Sequence, residues 1–121
     1  MHAEAPTAAT TDWPQIVGLY DALLRLEASP VVALNRAVAV AMRDGPAAGL
    51  PLVTALLQND SLRTYHLAHA AQADLYRRLA RYADALPAYR QALALTQQGA
   101  EQRFLQKKIV DIEALLLKPT P

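Results

Sequence analysis

The chain has no cysteine in its 121 residues. That excludes disulfides, thiolate metal sites and cysteine nucleophiles. Glycine is scarce, with four residues, and no Gly-rich phosphate loop is present. Neither Gly-x-Ser-x-Gly nor His-Glu-x-x-His occurs either, so the familiar hydrolase and zinc-peptidase constellations are missing. No catalytic residue, resident metal or cofactor is expected. No apolar run approaches the roughly 20 residues of a membrane-spanning helix. Residues 1–11 lack the charged-then-apolar order of a signal peptide. A soluble, cytoplasmic protein is the expectation.

What is abundant is alanine and leucine. Hydrophobic residues make up 53% of the chain and charged residues 19%, a balance that suits one packed helical domain. Charge is unevenly placed. Residues 1–60 carry three basic and six acidic side chains, net −3, and residues 61–121 carry nine and five, net +4. Such asymmetry would steer a charged partner. The plainer reading is a set of solvated helix faces, since no basic run is dense enough for nucleic acid.

In chain order, residues 1–11 have no period and read as a tail or the remnant of a preceding helix. Asp12 can cap a helix whose first turn tolerates Pro14. That helix is expected over 13–28, with Ile16, Leu19, Tyr20, Leu23 and Leu26 on one face. Ser29-Pro30 opens a second over 30–43, and Asp44-Gly45-Pro46 ends it and opens a third over 46–57. Asn59-Asp60-Ser61 turns the chain into a long fourth helix over 61–79, striped by Leu62, Tyr65, His69, Ala73 and Tyr76. A fifth over 82–97 and a sixth over 100–117 follow, and residues 119–121 are a tail. No strand is suggested.

The helices repeat. Laid over residues 69–93 at an offset of 36, residues 33–57 put Ala37 on Ala73, Gly49 on Ala85, Pro51 on Pro87, Val53 on Tyr89 and Leu56 on Ala92. Small mostly meets small, and proline meets proline. This order of small and large residues matches the tetratricopeptide (TPR) pattern, whose repeat is about 34 residues. The expected fold over 12–118 is therefore all-α: a TPR-like antiparallel helix-pair superhelix of about six helices. It would hold two full repeats, a preceding half-repeat and a closing helix. A half-repeat at the start implies a fragment, with Trp13, Ile16 and Tyr20 exposed or covered by the tail or by a second copy in a homodimer.

In such units the first helix of each pair lines a concave groove. Here that would bring Leu34, Asn35, Val38, His66, Ala70, Asp74 and Arg77 into a partner-binding surface. Each has a plainer reading. His66 and His69 stand three apart as two metal ligands could, but a third is missing, so packing or hydrogen bonding is favoured. Asn35 suits a peptide backbone or carboxylate, but Leu67 and Ala71 nearby supply no charge. Its alternative is a hydrogen bond to Arg36 or a turn. Arg77, Arg78 and Arg81 complement a helix C-terminus. Arg103, Lys107 and Lys108 make a solvated face. Tyr20, Tyr65, Tyr76, Tyr82 and Tyr89 have core spacing, not that of a base-stacking platform.

Several stretches are more specific than the repeat. Thr11-Asp12-Trp13-Pro14-Gln15-Ile16-Val17, Ser29-Pro30-Val31-Val32-Ala33-Leu34-Asn35-Arg36-Ala37-Val38-Ala39, Gly45-Pro46-Ala47-Ala48-Gly49-Leu50 and Tyr65-His66-Leu67 followed by His69-Ala70-Ala71 resemble one known group. It is the C-terminal, TPR-like extension of bacterial extracytoplasmic-function (ECF) sigma factors, in the sigma-70 family. The likeness covers about residues 2–117, and His2-Ala3-Glu4-Ala5-Pro6 resembles the end of that group's preceding helix, which would make Met1 an artificial start.

The resemblance implies a protein-interaction and regulatory domain of a factor that directs transcription initiation. Its partners would be core RNA polymerase, the protein's own sigma regions or a signalling protein. DNA would be touched only by sigma regions lying upstream, so no catalytic or DNA-contacting residue carries over. The rival expectation is a stand-alone TPR scaffold or adaptor unrelated to transcription.

Overall fold

The computed structural model describes residues 11–118, which form seven helices and no strand among them. They are α1 (Trp13–Leu26), α2 (Pro30–Asp44), α3 (Pro46–Leu56), α4 (Asp60–Arg63), α5 (His66–Arg78), α6 (Tyr82–Leu95) and α7 (Gly99–Leu117). Each start has a local cause. The Asp12 carboxylate accepts from the Gln15 amide at 3.1 Å, and the Ser29 hydroxyl from the Val32 amide at 3.2 Å. Proline follows both caps, where its missing N–H costs nothing. Gly45, at φ 102°, lets α2 hand over to α3 without a linker.

Contacts run along the chain: α1 on α2, α2 on α3, α3 on α5, α5 on α6 and α6 on α7. Three apolar clusters fill the seams. The first centres on Val17, Ala39 and Val40. The second joins α2 to α5 through Leu34, Ala37, Val53, Leu62 and Leu75. The third joins α5 to α7 through Ala73, Ala85, Tyr89, Ala92, Leu105 and Ile112. Small residues sit where helices touch most closely. A Cβ added to Gly49 would lie 2.5 Å from the Ala41 Cβ and 3.0 Å from the Ala37 carbonyl. Pro51 and Pro87 both lie inside helices and on exposed surface, so the carbonyls they leave unpaired face water.

Three expectations need correction. The long helix over 61–79 is two, separated at Thr64–Tyr65. Asn59 caps the short α4 by accepting from the Ser61 amide at 2.8 Å, and buried Leu62 anchors it. His69 Nε2 then donates to the Arg63 carbonyl at 2.7 Å. That side chain replaces the helical partner that continuing the helix would have supplied. Secondly, Leu34 is a core residue, 3% exposed, and lines no groove. Helix spacing alone cannot say which of two adjacent faces a neighbouring layer covers.

Thirdly, Trp13, Ile16 and Tyr20 are not the open face of α1. They pack around Val17 and Val40 and are half-buried, so less of that face is open than helical spacing suggests. The apolar stripe of α1 is wide, and α2 and α3 cover only its inner half. The outer half, Leu19, Leu23 and Leu26, is exposed.

Candidate functional site

The groove between α2 and α5 is built from residues at helical spacing. On α2, Val31, Asn35, Val38 and Met42 recur at steps of four and three, which places them on one side. Val31, Asn35 and Val38 are exposed, and Met42 is half-buried. On α5, Leu67, Asp74 and Arg78 follow the same rule, and Leu67 is exposed. Where the helices approach, a cleft of about 60 Å³ is lined by Val38, Ala41, Met42, Ala71, Asp74 and Arg78, with Leu75 at its base. Its walls are apolar except for that one ion pair.

The charges of the groove are already engaged. The Asp74 carboxylate accepts from Arg77 through one oxygen and from Arg78 Nε at 2.9 Å through the other. Arg78 also reaches the Met42 sulfur at 3.3 Å, which ties α5 to α2. Arg77 Nε donates to the Tyr89 hydroxyl at 3.3 Å. Its hydrogen bond to Asp74 holds the Arg77 guanidinium above its usual range. Burial pushes the Tyr89 phenol up, against the opposing pull of the Arg77 hydrogen bond. Arg81 pairs with Asp84 at 2.9 Å and lies 4.8 Å from the centre of the Tyr76 ring. The basic cluster at the end of α5 is thus tied into ion pairs, with Arg77 and Arg78 sharing one carboxylate and a single positive charge left over.

The residues expected in the groove separate into two sets. Asn35, Val38 and Asp74 stand on or beside it, while Leu34, His66, Arg77 and Ala70, which packs toward α6 and α7, do not. His66 turns to α7 and donates from Nε2 to Glu101 at 2.9 Å. Arg77 turns to α6. The two histidines therefore serve different partners, and no group of three metal-ligating side chains is found among the described residues. Asn35 makes no hydrogen bond to another described residue, and Arg36 pairs with Asp21 on α1 instead. Met42 carried no expectation, and Arg78 was expected only in the helix-end cluster, not in the groove. Their signal would have been the continuation of the Asn35–Val38 and Asp74 faces by one turn.

No family model matches the chain, and no solved structure does. An uncharacterized protein of Rhizobium meliloti (strain 1021) is 39% identical over 114 residues, covering 94% of this chain. The chain spans about a quarter, 26%, of that relative's length.

Proposed function

We propose that this chain is a TPR-like protein-interaction domain serving as the regulatory extension of an ECF sigma factor, and that it works through the groove between α2 and α5. The observation that carries the interaction role is the row of unpaired side chains along the groove, Val31, Asn35, Val38 and Leu67. They flank a floor whose one carboxylate, Asp74, is shared by Arg77 and Arg78. An apolar rim with one free amide suits a helix or an extended peptide. The transcriptional context rests on the sequence resemblance. The match to a much longer relative fits a module within a larger chain. The TPR reading is supported by the contact positions: Ala37, Ala73, Gly49 and Ala85 are all buried at the seams between successive helices.

The test joins the module to its proposed setting. The full-length protein is purified with core RNA polymerase and assayed for promoter-dependent transcription, with and without residues 12–118. Lost or deregulated transcription on deletion supports the reading. Unchanged transcription refutes it and favours a scaffold serving another partner. Within the groove, Asn35→Ala and Leu67→Glu should weaken partner binding and leave the melting temperature almost unchanged, because both positions are exposed. Arg77 is unsuitable for this test, since its loss would unpair Asp74 and Tyr89.

A further inference from the structure

A cavity of about 390 Å³ lies between α1, the first half of α2 and the second half of α3. It is lined by Leu24 of α1, Ala33 of α2 and Leu52, Ala55 and Leu56 of α3, with one charged side chain, Arg36. The volume falls within the range of small-molecule sites, which are mostly apolar with a few placed polar groups. Arg36 is placed in this sense. Its Nε donates to Asp21 on α1, which fixes the guanidinium plane. Its two terminal nitrogens donate to no described residue. A planar guanidinium held by one edge offers the other edge as a two-pronged donor, the geometry that carboxylates match.

We propose that this cavity binds a small monocarboxylate with an apolar body, such as a medium-chain fatty acid or an arylalkanoate. The hydrocarbon part lies among Leu24, Leu52 and Leu56, and the carboxylate takes the free edge of Arg36. Asp21 positions the guanidinium and also sets selectivity. Its negative charge is tolerated because it occupies the far edge, and it makes the site weaker than an unshared arginine would be. The site is separate from the groove: Asn35 faces the groove, and Arg36, its chain neighbour, faces α1.

The probe is octanoate, with octanol and octylamine as its uncharged and cationic counterparts, followed by amide chemical shifts of the whole chain. Octanoate should bind saturably below about 1 mM, moving amides around Ala33, Leu52 and Ala55. It should bind about tenfold or more tightly than octanol, as expected of a charged hydrogen bond. Octylamine should bind most weakly. Arg36→Met should erase the preference for octanoate over octanol, and Arg36→Lys, which keeps the charge but not the fork, should keep part of it. Asp21→Asn should tighten octanoate. Ala55→Phe should block all three probes.

Equal binding of octanoate and octanol by the unaltered chain overturns the proposal, as does no saturation by octanoate at 10 times the stated concentration. Octanoate binding that survives Ala55→Phe also overturns it. Because the first two readouts need no variant, a substitution that fails to fold does not shield the proposal.

Discussion

The α2/α3 pair and the α5/α6 pair share a spacing and differ in how it is filled. In the first, Gly49 brings the α3 backbone against Ala41, and Val53 occupies the seam. In the second, Ala85 and Tyr89 hold the equivalent places, and the Tyr89 hydroxyl is tied to Arg77. One pair is close and lined by aliphatic residues, with a cavity beside it. The other has an aromatic ring at the seam. The difference teaches that the repeat specifies where helices meet, while side-chain volume at a few positions decides what space is left. The ends of the stack differ too. The exposed side of α7 mixes charge, at Arg103, Lys107 and Asp111, with apolar Phe104 and Val110, whereas that of α1 carries Leu19, Leu23 and Leu26.

The largest expected effect breaks the seams. Tyr89→Ala should cost about 3–5 kcal/mol, the range for deleting a buried aromatic ring. Val53→Ala, at the matching place, should cost about 2 kcal/mol from its two lost methyl groups and the small void. Urea denaturation of both variants tests the contrast, and equal costs would dissolve it.

Next comes close approach. Gly49→Val should destabilise by about 1–3 kcal/mol, because the new side chain must displace Ala41 or the α2 backbone. Thermal unfolding reads this directly. An unchanged melting temperature would mean that α3 can slide away from α2 freely.

A smaller effect concerns pH. Burial raises the Tyr89 phenol above its unfolded value. The contribution that depends on its protonated form is therefore complete below about pH 10 and is lost as pH rises through the higher, folded value. Stability should fall more steeply above pH 10 in the unaltered chain than in Tyr89→Phe. Parallel curves for the two would remove Tyr89 from the alkaline transition.

The smallest effect has the opposite sign. Gly18 lies in the middle of α1, and a Cβ there would meet nothing within 4 Å. Gly18→Ala should stabilise by about 0.5–1 kcal/mol through helix propensity alone. Loss of stability would reveal a close contact on the outer side of α1.

Much of the local structure was legible because its causes lie within a few residues. Asp12, Ser29 and Gly45-Pro46 mark helix ends through hydrogen bonds and dihedrals that need no distant partner. The break at Thr64–Tyr65 was not, since it depends on His69 reaching back to a carbonyl and on Leu62 being held in a core built by other helices. Within the groove, Asn35, Val38 and Asp74 could be read from helical spacing. Leu34 misled because it lies one residue from that face and points into the neighbouring layer. Arg77 misled because its partner, Tyr89, belongs to the next helix.

An all-helical chain, its approximate helix starts and ends, and the places where small residues let helices meet can be read from the residues in order. These follow from period, capping and residue size, which act locally. Packing between distant segments spends half of the α1 stripe on α2 and α3. It also decided that His66 latches onto Glu101, 35 residues away, and that a cavity opens beside Arg36. Those outcomes depend on which helix lies over which face, and packing among distant segments settles that only once the layers are in place.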